Sequence, residues 1–167
     1  MDTTTHAPAA SGHRALRRGR HTETQRAYLV TITTCGRTCF FDDFDAACAT
    51  ARLMRDRTLW RASRPLCWVL MPDHLHALLE LGEGDALDGL MARIKSATSR
   101  HVNGVLHRKG SVWARAYHDR ALRRDDDVRA VARYIVANPL RAGLVERIGD
   151  YPFWDAEWLC RGDASPV

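Results

Sequence analysis

The segment from Leu66 to Leu81 constrains the fold more than any other part of the chain. Two short β-prone runs, Leu66 to Met71 and His74 to Leu81, flank the pair Pro72-Asp73. Proline presets a turn φ and aspartate bonds to nearby backbone, so the pair reads as a tight turn between neighbouring antiparallel strands. Strand side chains alternate between faces, which puts His74 and His76 on one side and Leu75 and Ala77 on the other. Imidazoles at this spacing can converge on one divalent ion. Taken alone, the pair fits ordinary polar-face or structural histidines at least as well as ligands.

The surrounding pattern predicts one α+β domain. Ala27 to Thr34 is β-prone, and Asp42 to Arg57 has helical character with Asp42 or Asp43 near its cap. Gly82 and Gly84 close the hairpin segment. Leu87 to Val102 then repeats apolar residues at Leu87, Leu90, Met91, Ile94 and Ala97 or Thr98, an imperfect helical stripe. Ser111 to Trp113 reads as a short extended piece, and a third helix is expected from about Asp126 through Val136, stopped by Pro139. This order fits a ferredoxin-like sandwich, a mainly antiparallel sheet with helices packed on one face and the histidines on its polar side. Residues 1–25 read as a disordered basic arm around Arg14, Arg17, Arg18 and Arg20. Residues 26–160 form the domain, including an aromatic closing segment at Tyr151, Phe153, Trp154 and Trp158 expected to pack back, and 161–167 a flexible tail.

Composition excludes several classes. No run of about 18 apolar residues offers a membrane span and the N-terminus lacks an apolar signal core, so a cytoplasmic location with no membrane partner is the default expectation. The five cysteines contain no Cys-x-x-Cys pair, which disfavours a disulfide framework or zinc knuckle. Charge is informative by its distribution. Between Arg93 and Arg124 stand nine Lys or Arg residues against the single acid Asp119, in a chain of net charge +5. Such a field attracts a polyanion and offers phosphate contacts, although a merely solvated basic face has the same composition.

The ordered combination Met71-Pro72-Asp73-His74-Leu75-His76, Lys95-Ser96, Val112-Trp113 and Arg133-Tyr134-Ile135-Val136-Ala137-Asn138-Pro139-Leu140-Arg141-Ala142-Gly143-Leu144-Val145 resembles the HUH-type single-tyrosine, IS200-like transposases, and within them the bacterial REP-associated tyrosine transposases. The similarity spans roughly Tyr28 to Trp158. It implies a metal-dependent transposase or endonuclease that cleaves and rejoins single-stranded or hairpin DNA, REP elements among the candidates, through a 5′-phosphotyrosine intermediate. It further implies Tyr134 as nucleophile, His74 and His76 as metal ligands, Asn138 at a third metal-site position, and Mg²⁺ or Mn²⁺ as the ion. A monomer and a homodimer are both compatible with it, as is nucleoid association when bound to DNA. A non-catalytic, domesticated REP-hairpin-binding protein and an RNA-binding protein are the alternatives.

The residues permit this chemistry. Tyr134 and Asn138 are four apart, so in one helix they share a face. A phenol, with a reference pKa near about 10, needs help to attack a phosphodiester, and a divalent ion would supply Lewis-acid stabilisation. Each residue also has an ordinary reading: Tyr134 at a core edge, Asn138 as a cap before Pro139. Tyr117 is the competing nucleophile, for which a packing or DNA-contact role is preferred, and Trp113 reads as a packing anchor. Lys95, Arg100, Arg115 and Arg120 are the DNA-contact candidates, with His118 positioning a phosphate or making a surface hydrogen bond.

Overall fold

The computed structural model describes residues 26–123 and 126–159. The expected arm, 1–25, and tail, 161–167, lie outside the described residues. Five strands build one sheet: β1 (Ala27–Thr33), β2 (Arg64–Met71), β3 (His74–Glu80), β4 (His118–Ala121) and β5 (Trp154–Ala156), in the order β4-β1-β3-β2-β5 with every neighbouring pair antiparallel. The first four strands, with α1 (Phe44–Arg55) and α3 (Leu87–Val105) as crossovers, give the ferredoxin-like β-α-β-β-α-β plan expected from sequence. A short helix, α2 (Arg57–Trp60), follows α1, while α4 (Val128–Val136) and α5 (Asn138–Arg141) connect β4 to the added edge strand. No helix among the described residues is long and apolar enough to cross a membrane.

Alternation along the strands divides the core in two. Tyr28, Val30 and Ile32 of β1, Trp68 and Leu70 of β2, and Leu75, Ala77 and Leu79 of β3 turn to the face covered by α1 and α3. Asp43 starts α1 by accepting the Ala46 amide at 2.9 Å, as Asx residues do at helix N-caps. The α3 stripe buries Leu87, Leu90, Met91, Ile94, Thr98 and Val102, the predicted pattern extended by one turn.

Helices do not keep to one face. α4 lies across the other, where Ala132 and Ile135 bury against Cys67, Val69, Met71 and Leu78. The reason is in β2: Leu66 through Met71 are buried without alternation, so this strand needs cover on both sides. The predicted strand at Ser111 to Trp113 reduces to an isolated bridge between Thr34 and Trp113. The aromatic segment does pack back: β5 pairs with β2, Phe153 is buried, and the Tyr151 hydroxyl donates to Leu70 O at 2.6 Å. Among the described cysteines, all four are free, with Cys35 and Cys39 exposed and Cys67 buried.

Candidate active site

Two directly opposed residues in an antiparallel pair point to the same face. Thr31 opposes His76 on one side and His118 on the other, Thr33 opposes His74, and Leu29 opposes Arg120. His74, His76, His118 and Arg120 therefore share the sheet face that α4 only partly covers.

The two histidines are held by their rear nitrogens. His74 Nδ1 lies 2.6 Å from Asp73 Oδ1, and His76 Nδ1 lies 2.8 Å from Thr31 Oγ1. Asp73 is itself paired with Arg37 at 2.9 Å, and the Thr34 amide donates to its carbonyl at 2.9 Å. Donation from each Nδ1–H leaves each Nε2 with a lone pair, the arrangement that orients ligand histidines. The two Nε2 atoms face one another at 3.1 Å. Nitrogens bound at about 2.1 Å to one ion stand about 3.0 Å apart at a right angle and about 3.4 Å apart in a tetrahedron, so the pair fits one transition or divalent ion. His76 is lowered from 6.5 to about 4, first by burial and then electrostatically by neighbouring His74, Arg141 and Arg37. It is neutral, hence able to ligate, at neutral pH.

The third expected ligand is occupied. Asn138 Nδ2 donates to Ile135 O at 2.7 Å, and its Oδ1 accepts from Arg141 Nη2 at 2.7 Å. Continuing α4 would direct the residue-139 amide to that Ile135 carbonyl, and Pro139 has none. Asn138 substitutes its side chain for the missing donor. As expected, the helix ends at Val136 ahead of Pro139; the chain turns at Ala137, and Pro139 sits in the first turn of the separate short helix α5, a position that tolerates proline. Tyr134 and Asn138 thus belong to two successive helices rather than one. No group of three His, Cys, Asp or Glu side chains that could hold an ion occurs among the described residues.

Tyr134 is 63% exposed on α4, unusual for a large aromatic side chain at the edge of a core. Arg141 holds it: the guanidinium lies 3.9 Å from the ring centroid while Nη1 donates to Tyr134 O at 2.8 Å. The same arginine binds Asn138 and contributes to the lowered pKa of His76, so it joins the tyrosine helix electrostatically to the histidine pair. Neither Arg141 nor Arg37 was selected from sequence. Arg141 follows Tyr134 by seven residues and Asn138 by three, a helical spacing that could have marked it. Arg37, in a left-handed conformation at φ 57°, carried no signal.

The basic interval is not one surface. Lys95 directs its ammonium at the carbonyls of Ala114, Arg115 and Ala116, at 2.9, 3.1 and 3.0 Å. With these three contacts the ammonium clamps the loop before β4. Arg93 likewise binds Leu59 O and Asp85. Arg100 bonds to Ser96 on α3, behind the sheet from the histidines. Arg115 is exposed in the clamped loop, and Arg120 lies on the histidine face, 63% exposed and 3.4 Å from Asp126. Tyr117 is 7% exposed with its hydroxyl donating to Asp88, and Trp113 is buried with Nε1 donating to Thr98 Oγ1 at 2.8 Å. Both serve packing.

The REP-associated tyrosine transposase of Escherichia coli (strain K12) is 31% identical over 88 residues, 52% of this chain and 50% of that protein. A Haemophilus influenzae relative is 29% identical over 94 residues, 50% of this chain and 53% of its own length. The chain thus spans about half the length of the curated relatives it matches. The solved structure of a REP-associated tyrosine transposase bound to a REP hairpin superimposes with a TM-score of 0.64 at 22% identity, covering 88% of this chain and 86% of that one, and has the same fold. Residues 25–138 match the family described as transposase, IS200 like, and the chain belongs to that family.

Proposed function

We propose that this chain cuts and rejoins single-stranded or hairpin DNA, using Tyr134 as nucleophile beside a divalent ion held by His74 and His76. The observation that carries the reading is the pair of Nε2 atoms at 3.1 Å, each backed by an Nδ1 contact, on the sheet face crossed by the tyrosine helix. When bound, Mg²⁺ or Mn²⁺ would supply Lewis-acid stabilisation of a phosphate, and phosphate or water oxygens suit such a hard ion as its remaining ligands. Asn138 joins the ligand set only by exchanging Arg141 for the ion.

The protein's own groups do the rest. Tyr134 Oη bonds to phosphorus as the P–O3′ bond breaks; the phenol gives its proton to solvent water and the leaving 3′ oxygen takes one from water. A 5′-phosphotyrosine and a free 3′-OH result, and attack by a second 3′-OH reverses the step to join strands without hydrolysis. Arg141 fixes the tyrosine backbone and ring. His118 and Arg120 offer phosphate contacts on the same face. The relative solved with a REP hairpin makes repeat-derived hairpins the first DNA to test, and action on such DNA would be carried out at the nucleoid, in the cytoplasm.

End-labelled hairpin DNA incubated with Mg²⁺, Mn²⁺ or chelator should be cut only with the ion. Tyr134→Phe should bind the DNA and leave it intact. Cleavage by Tyr134→Phe would overturn the assignment. Tight binding without cleavage on every hairpin would favour the non-catalytic DNA-binding protein, and tighter binding of matched RNA the RNA-binding one.

A further inference from the structure

A cavity of about 380 Å³ opens on the flank of α4 away from Tyr134, between that helix and the edge strand β5. Its walls include Val136, Leu140, Trp154 and Trp158, with the exposed Arg129 and Arg133 also lining it and no carboxylate among its described lining residues. Both tryptophans are half-buried and both arginines exposed. Trp154 is set by its Nε1, which donates to Ile148 O at 3.3 Å. Arg133 pairs with the Asp127 carboxylate at 3.8 Å with both side chains mostly exposed, a pair too solvated to neutralise the mouth.

Flat apolar walls below a cationic rim match one ligand chemistry well: a nucleobase stacks on an aromatic side chain while its phosphate meets an arginine. We infer that this cavity takes an unstacked base of the single-stranded part of the DNA substrate, an inference that rests on the DNA-strand reading above. Helix geometry supports the placement. Arg129, Arg133 and Val136 recur at a spacing that keeps one flank, whereas Tyr134 stands roughly 100–160° round the helix from them. A helix with its side chains is about 10–12 Å across, a span that a few nucleotides of single strand cover. A strand anchored in the cavity would therefore cross α4 and bring a phosphate a few nucleotides away to the tyrosine and the histidine pair. Such an anchor would select where the cut falls by counting from an extruded base.

An abasic scan of the full chain tests this. Hairpins carrying a single-stranded extension, with one base at a time removed, are titrated in chelator and followed by fluorescence anisotropy. Loss of a base at one or two positions should weaken wild-type binding about tenfold. Trp158→Ala should bind intact DNA about tenfold more weakly and be indifferent to the base removed at that position, with Trp158→Phe restoring most of the discrimination. Arg129→Ala, on an exposed residue that folding does not depend on, should weaken binding and lower its salt dependence. Uniform tolerance of base loss by the wild type would overturn the proposal. So would a position-specific penalty that persists in Trp158→Ala or, if that variant does not fold, wild-type affinity and salt dependence in Arg129→Ala. A position-specific penalty abolished by Trp158→Ala, without any phosphotyrosine adduct, would keep the cavity and remove only the catalytic reading; failure to bind any single-stranded DNA would remove both.

Discussion

The two faces of β3 are made of neighbouring residues and do opposite work. Leu75, Ala77 and Leu79 turn to α1 and α3 and are at most 3% exposed. His74 and His76 turn the other way and keep partial access to solvent, each held by one hydrogen bond from behind. Stability is concentrated on the closed face, where burial removes apolar surface from water. Polar and ionisable side chains are concentrated on the other, where α4 seals the β2 end with Ala132 and Ile135 and leaves the β1 and β4 end to histidines, threonine and arginine. A rigid sheet thereby fixes the imidazoles without flexible loops, as precise sites require.

Substitutions on adjacent residues should separate these roles. The largest effect is expected from His74→Ala or His76→Ala, each costing several kcal/mol of transition-state stabilisation, on the order of 10³-fold in ion-dependent cleavage, while DNA binding persists. Cleavage rates within a few-fold of wild type in both variants would dissolve the contrast. Leu75→Ala should do the reverse, lowering stability in urea unfolding by about 2–5 kcal/mol without abolishing cleavage by the folded fraction.

Acid should act through the open face. The neutral form of His76 is favoured in the folded chain, at about 4 against 6.5, so its contribution is complete above pH 6.5 and lost as pH falls towards 4. For chelator-treated protein that amounts to on the order of 2–3 kcal/mol, and His76→Gln should flatten the stability profile across this window. An unchanged slope would place the acid sensitivity elsewhere. The smallest effects concern DNA. Arg120→Ala should reduce the salt slope of binding by about 1, whereas Arg100→Ala, behind the sheet, should leave it unchanged. Equal effects would show that DNA wraps both faces.

Much of the closed face was legible in the sequence. Period-2 alternation in β3, the 3.6-residue stripe of α3 and the Asp cap of α1 each follow from local chemistry. β4 and β5, with four and three residues, are too short to display alternation, and β2 hides its alternation by being buried on both sides. At the site, the histidines and Tyr134 stood out because their motifs are local in sequence. Asp73 was visible as a turn residue but not as the partner of His74. The placement of the basic interval was not legible, because the carbonyls that engage Lys95 come from a loop about twenty residues away and the sheet separates Arg100 from Arg120. Arg141 acts through contacts that only the junction of α4 and α5 creates.

The most direct measurement is trapping of the covalent protein–DNA species. Wild-type protein with a 5′-cleavable, internally labelled hairpin and Mn²⁺ should give a denaturation-resistant adduct whose digested peptide carries the DNA on Tyr134, absent in Tyr134→Phe and with chelator. An adduct on the buried Tyr117, or cleavage that leaves every 5′-phosphate free throughout the reaction, would contradict the assignment of the open face as the site of strand transfer.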